Sequence, residues 1–154
     1  LKEVTDTLHV PLIIDDRIDI MMAVDADGVH VGQSDMPASV ARKMIGSDKI
    51  LGVSAGTLEE AVKAEKDGAD YLGVGAMFPT ATKTDADITS METLKKILET
   101  VHIPVVVIGG INQKTIPQFK GLDIAGYAIV SAIMASRKPK EAAAELKGLI
   151  HNNC

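Results

Sequence analysis

The sequence predicts an α/β protein in which short parallel strands alternate with helices. Six short segments are apolar, most of them without interruption, as is typical of parallel strands buried on both faces. Amphipathic segments with helix start and stop signals lie between them. Three segments also resemble one another, since each leads from a small or acidic turn into an apolar strand: residues 24–31, 67–74 and 122–130.

The six predicted strands follow the apolar segments in chain order. They are residues 11–14, 28–31, 50–54, 71–75, 104–108 and 126–130. Parallel neighbours need a crossover connection between them, usually a helix, and the spacing leaves room for one. The chain is therefore predicted to be a series of about six βα units.

The helices are predicted from their capping residues and apolar stripes. Thr57 and Glu60 have the spacing of a capping box, and Pro37 stands near the first turn of another helix. Residues 1–8 have the pattern of the last turns of a helix, which suggests that upstream sequence is missing. Pro117 lies inside the predicted helix at residues 112–119, where a proline removes a helical hydrogen bond. The predicted helices are residues 16–24, 36–45, 57–68, 90–101, 112–119 and 139–150.

Length and composition restrict the architecture and the class of function. The 154 residues predict one domain, and the apolar segments are too short to span a bilayer. The net charge of −5 argues against a nucleic-acid partner, and the single cysteine, Cys154, favours a reducing cytoplasm. An eight-unit barrel needs at least about 200 residues. The chain is therefore predicted to form either a barrel that lacks two units or an open, doubly wound sheet.

Polar residues follow the predicted strands at the ends where βα proteins place their active sites. Asp16 and Asp35 follow the first and second strands, and hard carboxylate oxygens of this kind suit Mg²⁺ bound together with substrate phosphates. Helix capping or turn formation by these aspartates is the alternative. His30 lies inside a strand and is interpreted as a packed histidine.

Three segments have the residue types of an anion-binding site. Gly109-Gly110 follows the fifth strand, and Val130-Ser131 follows the sixth, where backbone N–H groups could bind a phosphate. Residues 79–83 (PTATK) combine two hydroxyls with an ammonium in a long connection, which favours function over a plain polar loop.

Taken together, these segments resemble the signatures of the thiamine phosphate synthase family, in the right order and spacing. The matching segments are residues 11–17 (PLIIDDR), 30–37 (HVGQSDMP), 52–54 (GVS), 79–83 (PTATK), 108–111 (IGGI) and 130–133 (VSAI). The resemblance implies a TIM (β/α)8 barrel, of which this chain covers strands three to eight and lacks the first two.

The resemblance also implies a reaction and a set of site residues. The family joins hydroxymethylpyrimidine pyrophosphate to thiazole phosphate and releases pyrophosphate. Asp16 and Asp35 would hold Mg²⁺, while Ser54 and Lys83 would contact the pyrimidine pyrophosphate as catalytic residues, with Asp15 beside it. The residues that would bind the thiazole phosphate are Thr80, Ala81, Thr82, Gly110, Val130 and Ser131.

Two departures from the family pattern leave alternatives open. The family usually has Asn where this chain has Asp15, and its Gln-Leu-Arg-x-Lys motif is absent. The chain is therefore interpreted as a synthase of this family, either active or an inactive fragment. The alternatives are a thiazole tautomerase of the same superfamily and a non-catalytic, phosphate-binding barrel fragment. Open sheet edges would favour a homo-oligomer.

Overall fold

A computed structural model of the chain describes residues 1–80 and 87–153. The strands are β1 (Ile13–Asp15), β2 (Gly28–Val31), β3 (Ile50–Ala55), β4 (Tyr71–Val74), β5 (Val105–Ile108) and β6 (Gly126–Ala128). The helices are α1 (Lys2–Thr7), α2 (Ile18–Ala23), α3 (Ala38–Ile45), α4 (Leu58–Lys66), α5 (Met91–Thr100), α6 (Ser131–Met134) and α7 (Pro139–Asn153). The six predicted strands are thus confirmed, each to within two residues at either end.

Two helical segments differ from the sequence expectation. The segment predicted at 112–119 forms only a short 3₁₀ helix, Ile116–Phe119, with Pro117 in its first turn. Before it, the Asn112 N–H donates to Thr115 Oγ1, and this local turn takes the place of helical hydrogen bonds. Helix α6 is not predicted from the sequence, because a four-residue helix is too short to show a 3.6-residue periodicity.

The six strands form one parallel sheet in the order β1-β2-β3-β4-β5-β6. A doubly wound sheet would reverse its strand order partway, so the doubly wound alternative is wrong. Because parallel crossovers are right-handed, a strand order that always advances in one direction places the connecting helices on the same face. This is the winding found in βα barrels.

The two faces of the sheet differ in burial. Val29, Leu51, Leu72 and Val107 point to one face and are 0% exposed, packed in a core that includes Leu94 of α5. Apart from buried glycines, the alternate residues of β2 to β5, which share the opposite face because successive side chains alternate, are partly buried or exposed. The prediction that the strands are buried on both faces is therefore wrong: helices cover one face, and the other, here called the open face, is accessible. In the described residues, no helix has the length and apolarity needed to cross a membrane.

Arg42 links two loops at the amino-terminal edge of the sheet. Its guanidinium donates to the carbonyl oxygens of Gly46 (2.7 Å), Lys49 (2.8 Å) and Gly68 (3.0 Å), and to Asp70 Oδ2 at 2.5 Å. The planar fork of arginine satisfies several acceptors at once, which a lysine ammonium cannot do from one position.

Arg42→Lys is therefore expected to lower the free energy of unfolding by about 1–3 kcal/mol, the cost of leaving partly buried acceptors without donors. Urea unfolding measures the change. Lys43→Ala, at the exposed neighbouring position, is the control and should change stability by less than about 0.5 kcal/mol. An Arg42→Lys variant as stable as the unsubstituted chain would contradict this role.

Candidate functional site

The carboxyl ends of β1 and β2 bring the predicted metal-binding aspartates to the same region. Asp16 directly follows β1, has a left-handed backbone (φ 63°), and donates its N–H to the His30 carbonyl oxygen at 2.8 Å. Asp35 lies just beyond β2, and its Oδ2 accepts the Gly32 N–H at 2.7 Å. Both residues therefore lie at the carboxyl end of β2.

The carboxylate oxygens of these two aspartates are of the ligand type that suits a magnesium ion shared with a phosphate. No cluster of three or more His, Cys, Asp or Glu side chains suited to a metal occurs among residues 1–80 and 87–153. Mg²⁺, however, is usually held by one or two carboxylates together with substrate phosphate oxygens rather than by an all-protein cage. Asp35 uses one oxygen to brace the 32–35 turn, which leaves its other oxygen as the candidate ligand.

Ser54 is held from two sides at the end of β3. Its Oγ lies 2.9 Å from His30 Nε2, and its carbonyl oxygen accepts from Gln33 Nε2 at 2.6 Å. His30 Nδ1 lies 3.0 Å from the Tyr71 hydroxyl. These side chains lie on the open face, because His30 pairs in register with Gly52, and Gly52 with Tyr71.

The sequence pattern does not identify His30 and Tyr71 as part of the candidate site. His30 is packed, as predicted, but its Nε2 also lies within hydrogen-bond distance of Ser54, a predicted catalytic residue. Tyr71 is predicted only as the first residue of a strand. Their proximity depends on the register of three adjacent strands, which a single sequence does not display. Burial, and secondarily the charge of Asp15, raises the pKa of Tyr71 to about 12, so its hydroxyl keeps its proton at neutral pH.

The loops after β4 and β5 are packed against each other. Met77 N–H donates to the Ile108 carbonyl oxygen at 2.9 Å, and Phe78 N–H donates to that of Gly109 at 3.1 Å. Gly110 has φ 66°, and a Cβ added there would stand 2.7 Å from Phe78 Cβ. Glycine is thus required at Gly110 both by its conformation and by the close approach of the neighbouring loop.

The hydroxyl-rich segment, residues 79–83, begins at this same edge. Thr80 is the last residue described before the gap, and Ala81, Thr82 and Lys83 lie outside the described residues. On the far side of the gap, Thr89 N–H donates to the Ala76 carbonyl oxygen at 2.8 Å. Thr89 therefore lies close to the end of β4.

Val130 and Ser131 follow β6 at the neighbouring position along the edge. Ile108 and Ala128 are paired at the ends of their strands. Gly110 and Val130 each lie two residues after one member of this pair. Val130 precedes α6, and Ser131 is its first residue. Both residues are exposed, so their polar groups are accessible to a ligand.

The singly wound parallel sheet, with acidic, hydroxyl and glycine-rich groups along its carboxyl edge, defines a βα-repeat enzyme. A family model described as Thiamine monophosphate synthase matches residues 1–133. The chain belongs to the thiamine monophosphate synthase family and is a transferase of thiamine biosynthesis.

Individual relatives agree with this family. A thiamine-phosphate synthase of Clostridium beijerinckii is 63% identical over 147 residues, which are 96% of this chain and 70% of that protein. A thiamine-phosphate synthase of Ruminiclostridium cellulolyticum is 59% identical over 99% of this chain and 72% of that protein. The solved thiamine phosphate pyrophosphorylase of Pyrococcus furiosus superposes with a TM-score of 0.90 at 42% identity, covering 98% of this chain and 72% of that one.

Proposed function

We propose that this site couples hydroxymethylpyrimidine pyrophosphate with thiazole phosphate to give thiamine phosphate and pyrophosphate. The observation that carries the proposal is the gathering of Asp16, Asp35 and Ser54 near the end of β2, with Gly110 and Ser131 further along the same edge. Family membership supplies the reaction class.

The six strands are further proposed to correspond to strands three to eight of an eight-unit barrel. Their sequential order and single helix-covered face support this assignment. The superposition on 72% of the Pyrococcus furiosus protein also supports it, because the remaining part of that chain has no counterpart among these residues.

The coupling makes one bond and breaks one bond. The bond between the pyrimidine methylene carbon and the pyrophosphate oxygen breaks, and its electron pair leaves on pyrophosphate. The thiazole nitrogen lone pair then forms the new C–N bond. Since no proton is transferred, the site needs to stabilise the leaving charge and to hold the two substrates in line, which charge and positioning supply.

Each group of site residues has a proposed part in this reaction. Asp16 and Asp35 would hold Mg²⁺, which supplies positive charge against the leaving pyrophosphate. Ser54 and Lys83 are proposed as catalytic residues that contact the pyrimidine pyrophosphate, with Asp15 next to them. The thiazole phosphate is proposed to bind at Thr80, Ala81, Thr82, Gly110, Val130 and Ser131.

The direct test is to supply the protein with Mg²⁺ and both substrates and to measure both products. Thiamine phosphate and pyrophosphate should appear in equal amounts, and the Ser54→Ala variant should form them more slowly. Binding of both substrates without product formation would contradict the proposal. Conversion of a thiazole tautomer without coupling would instead support the tautomerase alternative.

Asp15→Asn is expected to strengthen binding of the pyrophosphate substrate. Asp15 is exposed beside the site, and a carboxylate there repels a polyanion. Removing one charge at a partly solvated position should lower the KM for the pyrimidine pyrophosphate by about threefold to tenfold, corresponding to roughly 1 kcal/mol. The KM for thiazole phosphate should change less.

Two measurements check this explanation. Asp48→Asn removes the same charge at the opposite edge of the sheet and should leave both KM values unchanged. Because the Asp15 charge raises the pKa of Tyr71, Asp15→Asn should also lower that pKa, which ultraviolet titration of tyrosine can follow. A higher KM for the pyrophosphate substrate in Asp15→Asn would show that this carboxylate assists binding.

The expected partners are these two small-molecule substrates. The cytoplasmic setting, the absence of a nucleic-acid or membrane partner, and the homo-oligomer stay predictions from the sequence. Light scattering at several protein concentrations would test the oligomer.

A further inference from the structure

A chain of hydrogen bonds crosses the open face of the sheet from Tyr71 through His30 to Ser54. The Tyr71 hydroxyl lies 3.0 Å from His30 Nδ1, and His30 Nε2 lies 2.9 Å from Ser54 Oγ. Both imidazole nitrogens are therefore hydrogen-bonded, each to a hydroxyl on a different neighbouring strand. A residue that only filled space would need neither contact.

Two glycines fix the position of the imidazole ring. A Cβ on Gly52 would stand 2.4 Å from His30 Nδ1 and 2.3 Å from Tyr71 Cζ. A Cβ on Gly73 would stand 2.8 Å from His30 Cε1. The two rings thus lie directly on the bare backbone of β3 and β4, which leaves the imidazole little room to turn.

A neutral tyrosine hydroxyl can donate to or accept from an imidazole nitrogen, so the tautomer of His30 sets the direction of both hydrogen bonds. The Tyr71 hydroxyl is the partner of His30 Nδ1, and burial raises the pKa of that hydroxyl to about 12. When Tyr71 donates to Nδ1, the neutral imidazole carries its own proton on Nε2 and donates it to Ser54 Oγ. One lone pair of Ser54 Oγ is then occupied, so its own proton turns away from His30.

The backbone of Ser54 is fixed as well. Gln33 donates to the Ser54 carbonyl oxygen at 2.6 Å, and Asp35 holds the turn on which Gln33 stands through the Gly32 N–H. With the carbonyl oxygen and the hydroxyl oxygen both held, the direction of the Ser54 O–H bond is the remaining degree of freedom, and His30 restricts it.

We propose that His30 is a positioning residue which, through its Nε2–H···Oγ hydrogen bond, directs the Ser54 hydroxyl proton toward a phosphate oxygen of the pyrimidine pyrophosphate. The inference rests on the proposed function, because it assumes that Ser54 contacts that substrate. It adds a residue that touches neither substrate and acts through Ser54, with Tyr71 selecting the tautomer of the imidazole.

The tautomer is tested without any substrate. Long-range ¹H–¹⁵N correlation spectra of the 154-residue chain at neutral pH should show His30 with Nε2 protonated and Nδ1 bare. In Tyr71→Phe, which removes the donor to Nδ1, a share of the other tautomer should appear. A wild-type imidazole protonated on Nδ1 would overturn the proposal.

The positioning role is tested by binding inorganic pyrophosphate with Mg²⁺, and separately thiazole phosphate, in titration calorimetry. His30→Leu should weaken pyrophosphate binding by about tenfold, the usual worth of one aligned hydrogen bond to a charged group, and leave thiazole phosphate binding unchanged. His30→Gln, whose side-chain amide can still donate to Ser54, should restore most of the affinity. Unfolding curves confirm that both variants are folded.

The outcomes separate this inference from the function on which it rests. Wild-type pyrophosphate binding that His30→Leu retains in full would overturn the positioning role alone. A wild-type chain that binds no pyrophosphate would overturn both the role and the proposed function. Equal weakening of both ligands in His30→Leu and His30→Gln would show a general structural effect and would also overturn the role.

Discussion

Gly110→Ala is expected to weaken thiazole phosphate binding by a factor of ten or more and to destabilise the protein by about 2–4 kcal/mol. Gly110 has φ 66°, a conformation that alanine adopts only at a cost. The new Cβ would also stand 2.7 Å from Phe78 Cβ and 3.0 Å from the Pro79 carbonyl oxygen.

The functional effect follows from which segment would have to move. Phe78 and Pro79 directly precede Thr80, the first of the proposed phosphate-binding residues, so relief of the clash displaces Thr80 as well. Since phosphate binding depends on groups that are already in position, this displacement should weaken thiazole phosphate binding in addition to destabilising the fold. Calorimetric titration with thiazole phosphate and urea unfolding measure the two effects.

Gly121→Ala is the matched control for backbone strain. Gly121 has φ 80°, but a Cβ added there would meet no atom within 4 Å. It should therefore cost about 1 kcal/mol of stability and leave ligand binding unchanged. If Gly110→Ala binds thiazole phosphate as tightly as the unsubstituted chain, the loop after β5 does not shape the phosphate site.

Asp16→Asn and Asp35→Asn are each expected to lower kcat/KM by about 100-fold at a fixed Mg²⁺ concentration, within the range found when groups that stabilise a leaving charge are removed. Each substitution removes one of the two carboxylates proposed to hold Mg²⁺ beside the pyrophosphate. Part of the activity should return as the Mg²⁺ concentration is raised, because the remaining ligands still bind the ion weakly.

Asparagine is chosen because it preserves the local structure at both positions. It tolerates the left-handed φ of Asp16, and at position 35 its carbonyl oxygen can still accept the Gly32 N–H. Asp25→Asn is the control. Asp25 also has a left-handed φ, of 49°, but it lies in the loop before β2 and forms an ion pair with Lys49. Unchanged Mg²⁺ dependence in both site variants would contradict the metal assignment.

The positions of the strands could be predicted from the sequence because each is a short apolar segment between turn residues. The winding of the sheet could not be predicted from the pattern of the residues, since strand order depends on the direction of each crossover, and only the family resemblance indicated a barrel. The same limit explains why the strands were expected to be buried on both faces: His30, Ser54 and Tyr71 interrupt the apolar pattern, yet nothing in sequence shows that they share one face.

The candidate site was predictable where residues directly follow strands. Asp16 and Asp35 were found this way, because parallel strands bring their carboxyl ends to one edge. The hydrogen-bonded group of His30 and Tyr71 was not found, because it depends on strand register and on the space left by Gly52 and Gly73. The predicted capping box is confirmed only in part. Thr57 caps α4 as predicted, but the Glu60 carboxylate accepts the Gly56 N–H instead of the Thr57 N–H.

The most direct test of the proposed coupling activity is a chimera in which this chain replaces the matching 147 residues of the Clostridium beijerinckii synthase. Its kcat/KM for thiamine phosphate formation should lie within about tenfold of that of the intact relative, because the proposed site residues are all present. A folded chimera that binds both substrates but is about 1,000-fold slower or more would contradict the proposed coupling activity of this site.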